Sequence, residues 1–281
     1  MDARGTRLPL EEGRQDTFWV IDFTDWPDSY DYYQTTATLR KRGLHCYVYL
    51  EDGAPIEGIF MTEEEILDAI RDEFDYNIYD ADRATFGSEW TPGIDGDPRI
   101  TILVMDIPGP SSGGGLFMVA GYFNEEDEQL ASEAPPDQRS NEREMFYMNT
   151  GLASMIEFDE TFYYVIAHEF QHMIHWNYDP TEELWINEGC SELAAEVCGY
   201  ASDVDALTSF AYGYDNSLTV WEDKGHDNIL EDYGAGFYFM EYMKDKYGGW
   251  DTVREIVQDP LHGTASIESI AAAHGYSHSF A

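Results

Sequence analysis

Basic residues are scarce. The chain of 281 residues carries 15 Lys and Arg against 56 Asp and Glu, a formal net charge of −41. Only Lys41, Lys224, Lys244 and Lys246 are lysine. A field of that sign repels nucleic acid and anionic lipid, so neither is expected as a partner. An acid surplus with little lysine suits a protein kept soluble in concentrated salt, where screening removes most of the self-repulsion. A high-salt setting is therefore expected, with an ordinary acidic secreted protein as the alternative. Cysteine is sparse too: Cys46, Cys190 and Cys198 are an odd set, so at least one is unpaired. On one helix, Cys190 and Cys198 would sit about 12 Å apart along the axis and could not bridge. Redox compartment is not indicated. No apolar run approaches the roughly 18 residues of a membrane span. The first residues lack the apolar stretch of a signal peptide, so the protein is intracellular or the chain is a trimmed one.

What is present excludes a disordered chain: 43% of residues are hydrophobic and 15% aromatic. The length suffices for one large domain or two lobes sharing a cleft. Up to about residue 150 the pattern alternates in strand fashion at 17–23, 33–39, 45–50, 99–107, 119–124 and 144–148. Thr62-Glu63-Glu64-Glu65 is a capping box for an early helix. Residues 108–115 read as a flexible loop. Beyond residue 160 the period changes to 3.6, with helices expected over 161–177, from the Asp179-Pro180-Thr181-Glu182 cap to Gly199, and near 203–212, 232–247, 250–258 and 265–274. The expectation is an α+β protein. Its parts are a flexible stretch 1–15, a β-rich lobe 16–177 that includes a central helix, and a helical lobe 178–281.

That central helix carries His168-Glu169-Phe170-Gln171-His172. At 3.6 residues per turn the two histidines lie about 40° apart on one face and about 6 Å apart along the axis. Two imidazoles so placed can grip one tetrahedral zinc, and Glu169 lies where a carboxylate could deprotonate the metal's water. A catalytic zinc needs a third protein ligand. His175 is about 20° from His168 around the axis but one turn past His172, out of reach of an ion held between the pair. On the next helix, Trp185-Ile186-Asn187-Glu188-Gly189-Cys190-Ser191-Glu192 sets Glu188 and Glu192 one turn apart. Either acid could ligate while the other accepts a hydrogen bond from a ligating histidine. Glu188 follows His172 by sixteen residues, room for a short turn and an antiparallel return.

These segments resemble the gluzincin zinc metallopeptidases, in which H-E-x-x-H is followed by a glutamate ligand on the next helix. Together with Tyr233-Gly234-Ala235-Gly236-Phe237 and Asn141-Glu142-Arg143-Glu144-Met145, they are most similar to the hyicolysin-like (M30) peptidases. The resemblance implies a zincin-like fold, zinc on His168, His172 and Glu188, and Glu169 as general base. It also implies that Glu192 and Asn187 support the ligands from behind. It assigns 119–124 as an edge strand that pairs with extended substrate through Ala120, Gly121 and Tyr122, although Gly121 could equally mark a bulge. Tyr233, at the start of a helix, would donate to the oxyanion, with His226 as its rival.

The expected activity is peptide-bond hydrolysis by a zinc enzyme acting on protein or peptide, monomeric, with secretion implied by the resemblance. Two alternatives stay open: a non-catalytic calcium-stabilised surface or binding protein, with Ca²⁺ at loops such as Asp95-Gly96-Asp97, and a zinc hydrolase of non-peptide substrates.

Overall fold

Residues 46–51, 100–105 and 145–149 are buried along nearly their whole length. Continuous burial of that kind belongs to strands covered on both faces at the centre of a parallel sheet. The computed structural model describes residues 8–26, 29–109, 118–213, 216–221, 226–277 and 279–280, without the side chains of 226–228. The expected loop at 108–115 lies mostly outside the described residues.

The strands are β1 (Gln15–Asp22), β2 (Asp31–Arg42), β3 (Cys46–Glu51), β4 (Ile100–Met105), β5 (Gly121–Phe123) and β6 (Met145–Asn149). They form one sheet in the order β1-β2-β3-β4-β6-β5. The central pairs β3/β4 and β4/β6 are parallel, whereas β1/β2, β2/β3 and β5/β6 are antiparallel. The helices are α1 (Glu63–Glu73), α2 (Tyr79–Thr85), α3 (Thr150–Ala153), α4 (Thr161–Tyr178), α5 (Leu184–Cys198), α6 (Val204–Tyr212), α7 (His226–Met243), α8 (Trp250–Val257) and α9 (Gly263–Ala273). The class is α+β, and the helical segments after β6 follow one another without a further strand among the described residues.

The chain divides into two compact units, Met1–Asp80 with Trp90–Glu169, and Ala81–Glu89 with Phe170–Ala281. The continuous helix α4 contributes its first half to one and its second half to the other. In the first unit one sheet face is packed by Phe18, Val20, Leu39, Tyr47, Tyr49, Leu103, Met105, Met145 and Tyr147. The exposed edge of β1 is closed by side chains rather than by another strand. Ile21 N donates to the Tyr122 hydroxyl (3.1 Å), and Asn141 takes both backbone groups of Trp19 at 2.8 Å. Edges capped in this way do not recruit a foreign strand. Asp127 anchors the acidic loop that carries Asn141, accepting from Tyr147 Oη (2.6 Å), Asn141 N (2.7 Å) and Asn124 Nδ2 (3.2 Å). Burial pushes its carboxyl up to about 7 against those donors.

α1 opens with the expected capping box, Thr62 and Glu65 bonding each other's backbone. Two expected boundaries change. α5 begins at Leu184 rather than after Asp179, because Asp179 Oδ1 closes a turn onto Thr181 N (3.0 Å) instead of capping a helix. α7 begins at His226, so Tyr233 lies inside that helix and not at its start. A π-turn over Phe74–Ile78 and the helix α2 carry no strong periodic signal and are additions to the sequence reading. Residues 8–14 are likewise more ordered than a frayed end, since Leu10 is buried and its N–H donates to Tyr47 Oη (2.8 Å). The three cysteines are buried and none is in a disulfide. No helix among the described residues is long and apolar enough to cross a membrane.

Candidate metal centre

α4 forms where the chain runs Phe162, Val165, Ile166, Phe170, Met173, Ile174, a buried stripe at helical spacing. His168 and His172 ride on the same helix, one turn apart. In the first unit, β5 fixes the start of α4. A Cβ on Gly121 would stand 2.9 Å from Val165 Cγ1, 2.8 Å from Tyr147 O and 3.0 Å from Met148 Sδ. The glycine therefore permits strand and helix to touch one turn before His168. The β5/β6 register is unbroken over Gly121, Tyr122 and Phe123, so no bulge is involved.

α5 returns from the turn with Trp185, Ile186, Leu193 and Ala194 buried, which sets Glu188 toward α4. His168, His172 and Glu188 each offer one ligand atom, all within 4.8 Å of one another. His172 Nε2 and Glu188 Oε2 are 3.3 Å apart. Two ligands about 2.1 Å from a tetrahedral ion sit about 3.4 Å apart, so the spacing suits one shared ion. Two imidazole nitrogens and one carboxylate oxygen make the donor set of a catalytic zinc with one open position. Calcium favours all-oxygen shells instead. The Asp95-Gly96-Asp97 loop is internally satisfied: Asp97 accepts from Tyr47 Oη at 2.7 Å and from the Arg99 guanidinium at 3.1 Å.

The other ring nitrogen of His172 is held. Its Nδ1 is 2.5 Å from Asn187 Oδ1 and 3.0 Å from Ser191 Oγ, and Ser191 donates to Gln171 Oε1. A proton on Nδ1 leaves the Nε2 lone pair facing Glu188, the arrangement by which an outer partner sets a metal-binding tautomer. Asn187 was expected here. Ser191 and Gln171 were not, because a lone serine or glutamine on a helix has no spacing signature.

The other expected residues fall as follows. Glu169 is buried beside His168, and Glu192 is buried one turn beyond Glu188. His175 is fully buried outside the ligand group, with no hydrogen-bond partner on either ring nitrogen. Burial, with His172 adding to it, pushes its pKa down to about 3. In the second unit, α5 and α7 meet glycine to glycine. A Cβ on Gly189 would lie 2.8 Å from Gly236 O, and one on Gly236 would lie 3.3 Å from Gly189 Cα. Tyr233 sits one turn before that crossing, its ring edge-on to Trp221 at 5.1 Å. The side chain of His226 lies outside the described residues. Gly121 and Tyr122 are in β5, and Ala120 just precedes it, accepting from Asn149 N at 3.0 Å.

An α+β fold with two helical histidines and a glutamate on the following helix is the arrangement of a zinc metallopeptidase. The chain is 26% identical over 260 residues to the neutral metalloprotease ShpI of Staphylococcus hyicus. The match takes in 86% of this chain and 55% of ShpI, so the chain spans about half the length of the curated relative it matches. Among solved structures, yeast LTA4 hydrolase in complex with bestatin aligns over 93% of this chain and 43% of its own, with a TM-score of 0.49 and 14% identity. No protein-family profile matches the chain.

Proposed function

We propose that the protein is a zinc-dependent peptidase of the hyicolysin-like kind, with His168, His172 and Glu188 holding the metal. The observation that carries this reading is the 3.3 Å approach of Glu188 Oε2 to His172 Nε2, with His168 in the same group. A zinc ion there would acidify a bound water and polarise the scissile carbonyl. Glu169 takes the proton from the attacking water and delivers it to the leaving amine. Its burial supports a carboxylate shielded from bulk solvent. Asn187 and Ser191 keep His172 in its ligating tautomer, and Glu192 supports the ligands from behind.

Tyr233 donates its phenolic hydrogen to the developing oxyanion. Its place on α7, one turn before Gly236, which meets the Gly189 that follows Glu188, supports this role, with His226 as the rival donor. Substrate binds as an added strand on β5, the last strand of the sheet among the described residues. Ala120 O accepts from Asn149 N, so Ala120 and Tyr122 turn their backbone groups toward β6. Strand alternation then leaves the N–H and C=O of Gly121 facing outward for substrate. The likeness to hyicolysin-like peptidases supports secretion and the acid surplus supports a high-salt setting, with the enzyme acting as a monomer on protein or peptide.

The test is Glu169→Gln. Casein digestion by the zinc-loaded wild type should stop with a chelator and be absent in the variant, while the variant keeps its zinc. Retained turnover in Glu169→Gln overturns the assignment. Zinc binding without any proteolysis by wild type favours a hydrolase of another substrate.

A further inference from the structure

A second ligand group lies in the helical unit, at the turn joining α4 to α5. Asp179, Glu182 and His262 each offer one ligand atom, again within 4.8 Å of one another. Hydrogen bonding divides each residue into an anchored atom and an available one. Asp179 is almost fully buried, and its Oδ1 accepts from Thr181 N (3.0 Å) and Thr181 Oγ1 (3.3 Å). Its Oδ2 faces His262 Nδ1 at 2.8 Å. Glu182 Oε1 accepts from Gly263 N (2.8 Å) and Glu183 N (2.5 Å). Glu182 Oε2 is buried away from solvent and has no hydrogen-bond partner. Buried carboxylate oxygens are rarely left so, and each one that is calls for a partner.

The imidazole completes the pattern. Its Nε2 is 3.3 Å from Thr181 Oγ1, a hydroxyl that can accept an N–H there while donating its own proton to Asp179 Oδ1. With the ring proton on Nε2, the Nδ1 lone pair is free beside Asp179 Oδ2. The 2.8 Å between those atoms must open by about 0.6 Å to reach the separation of two ligands on one tetrahedral ion, about 3.4 Å. Burial pushes the Glu182 carboxyl up, with Asp179 among the groups adding to that, and a cation would offset both effects.

We propose that Asp179, Glu182 and His262 form a second divalent-metal site that clamps the α4–α5 turn to the start of α9. An imidazole with two carboxylates selects a zinc-class transition ion over calcium. His262 is half-exposed, so solvent can complete the shell and the ion can enter. Its role is positional, because the turn it clamps sets where α5, and so Glu188, begins.

The experiment is a metal count on the full chain, stripped with chelator, re-equilibrated with Zn²⁺ and desalted. Wild type is compared with Glu182→Gln and His262→Ala, each first checked for native circular dichroism. Glu182→Gln keeps the Oε1 acceptor, so it serves if the alanine variant fails to fold. Each variant should retain one equivalent fewer than wild type, its lost site weakened more than about tenfold. The zinc-dependent rise in melting temperature should shrink in both. The readout is a difference, so it stands whether or not the His168 group binds metal or cleaves peptide. Equal zinc content in wild type and variants overturns the proposal. So does a site that takes Ca²⁺ in preference to Zn²⁺.

Discussion

Replacing Gly189 with alanine adds one methyl group where α5 and α7 touch. That carbon would stand 2.8 Å from Gly236 O and 2.9 Å from Met240 Cγ. Ordinary contacts begin near 3.5 Å, so the helices must part by about half an ångström or more. The obstacle is a backbone carbonyl, which cannot swing aside. Overpacking of this kind costs about 1–3 kcal/mol, while alanine regains up to about 1 kcal/mol of helix propensity. The net expectation is a loss of about 1–2 kcal/mol, or roughly 2–3 °C in melting temperature. Gly236→Ala provides the control. Its added carbon meets nothing closer than Trp185 O at 3.2 Å, so the propensity gain should nearly cancel the strain. Because Glu188 adjoins Gly189, zinc affinity should also fall about tenfold in Gly189→Ala and change little in Gly236→Ala. Denaturant unfolding and zinc titration of the pair decide the matter. A stable, zinc-tight Gly189→Ala, or a Gly236→Ala that is the more damaged, refutes the reasoning.

Other consequences can be measured in the same way. His175 stays neutral in the fold down to about pH 3 but protonates near 6.5 when unfolded. The unfolded chain therefore binds the extra proton between those values, and the stability His175 confers is lost as pH falls from about 6.5 toward 3. His175→Leu should flatten that acid limb, gaining about 2 kcal/mol at pH 5 relative to pH 8; an unchanged slope in urea melts would count against it. Thr62→Ala removes the α1 capping box and should cost about 1 kcal/mol in stability, leaving peptidase turnover as it was. Added salt should raise the melting temperature, given 56 acidic residues against 15 basic ones. A melt indifferent to salt between low and molar concentrations would remove the argument for a high-salt setting.

The parts of the site legible in the sequence are those that depend on local geometry. The His168–His172 pair needs only the helical period, and Glu188 needs only a short turn and a returning helix with a buried stripe. What was hidden depends on contacts between distant residues. Ser191 reaches His172 Nδ1 only because α5 lies against α4. Gly189 and Gly236 look like weak points in helices until the two backbones are seen to touch. The Asp179-Pro180-Thr181-Glu182 string has every local mark of a helix start. It becomes a turn because Asp179 Oδ1 accepts from Thr181 N, while Asp179 Oδ2 lies against His262 and Glu182 accepts from Gly263 N. Strand order was equally out of reach, since β4 pairs with β6, which begins forty residues after β4 ends.

The contact between Asp179 and His262 spans 83 positions. During synthesis at about 5–20 residues per second, α4 and the turn after it leave the ribosome about 4–17 s before their clamp is made. Over that interval the two histidines and Glu188 exist on a helix pair whose joint is not yet fastened. Synthesis of His262 and α9, rather than the appearance of the histidines of α4, is then the step that fastens this joint.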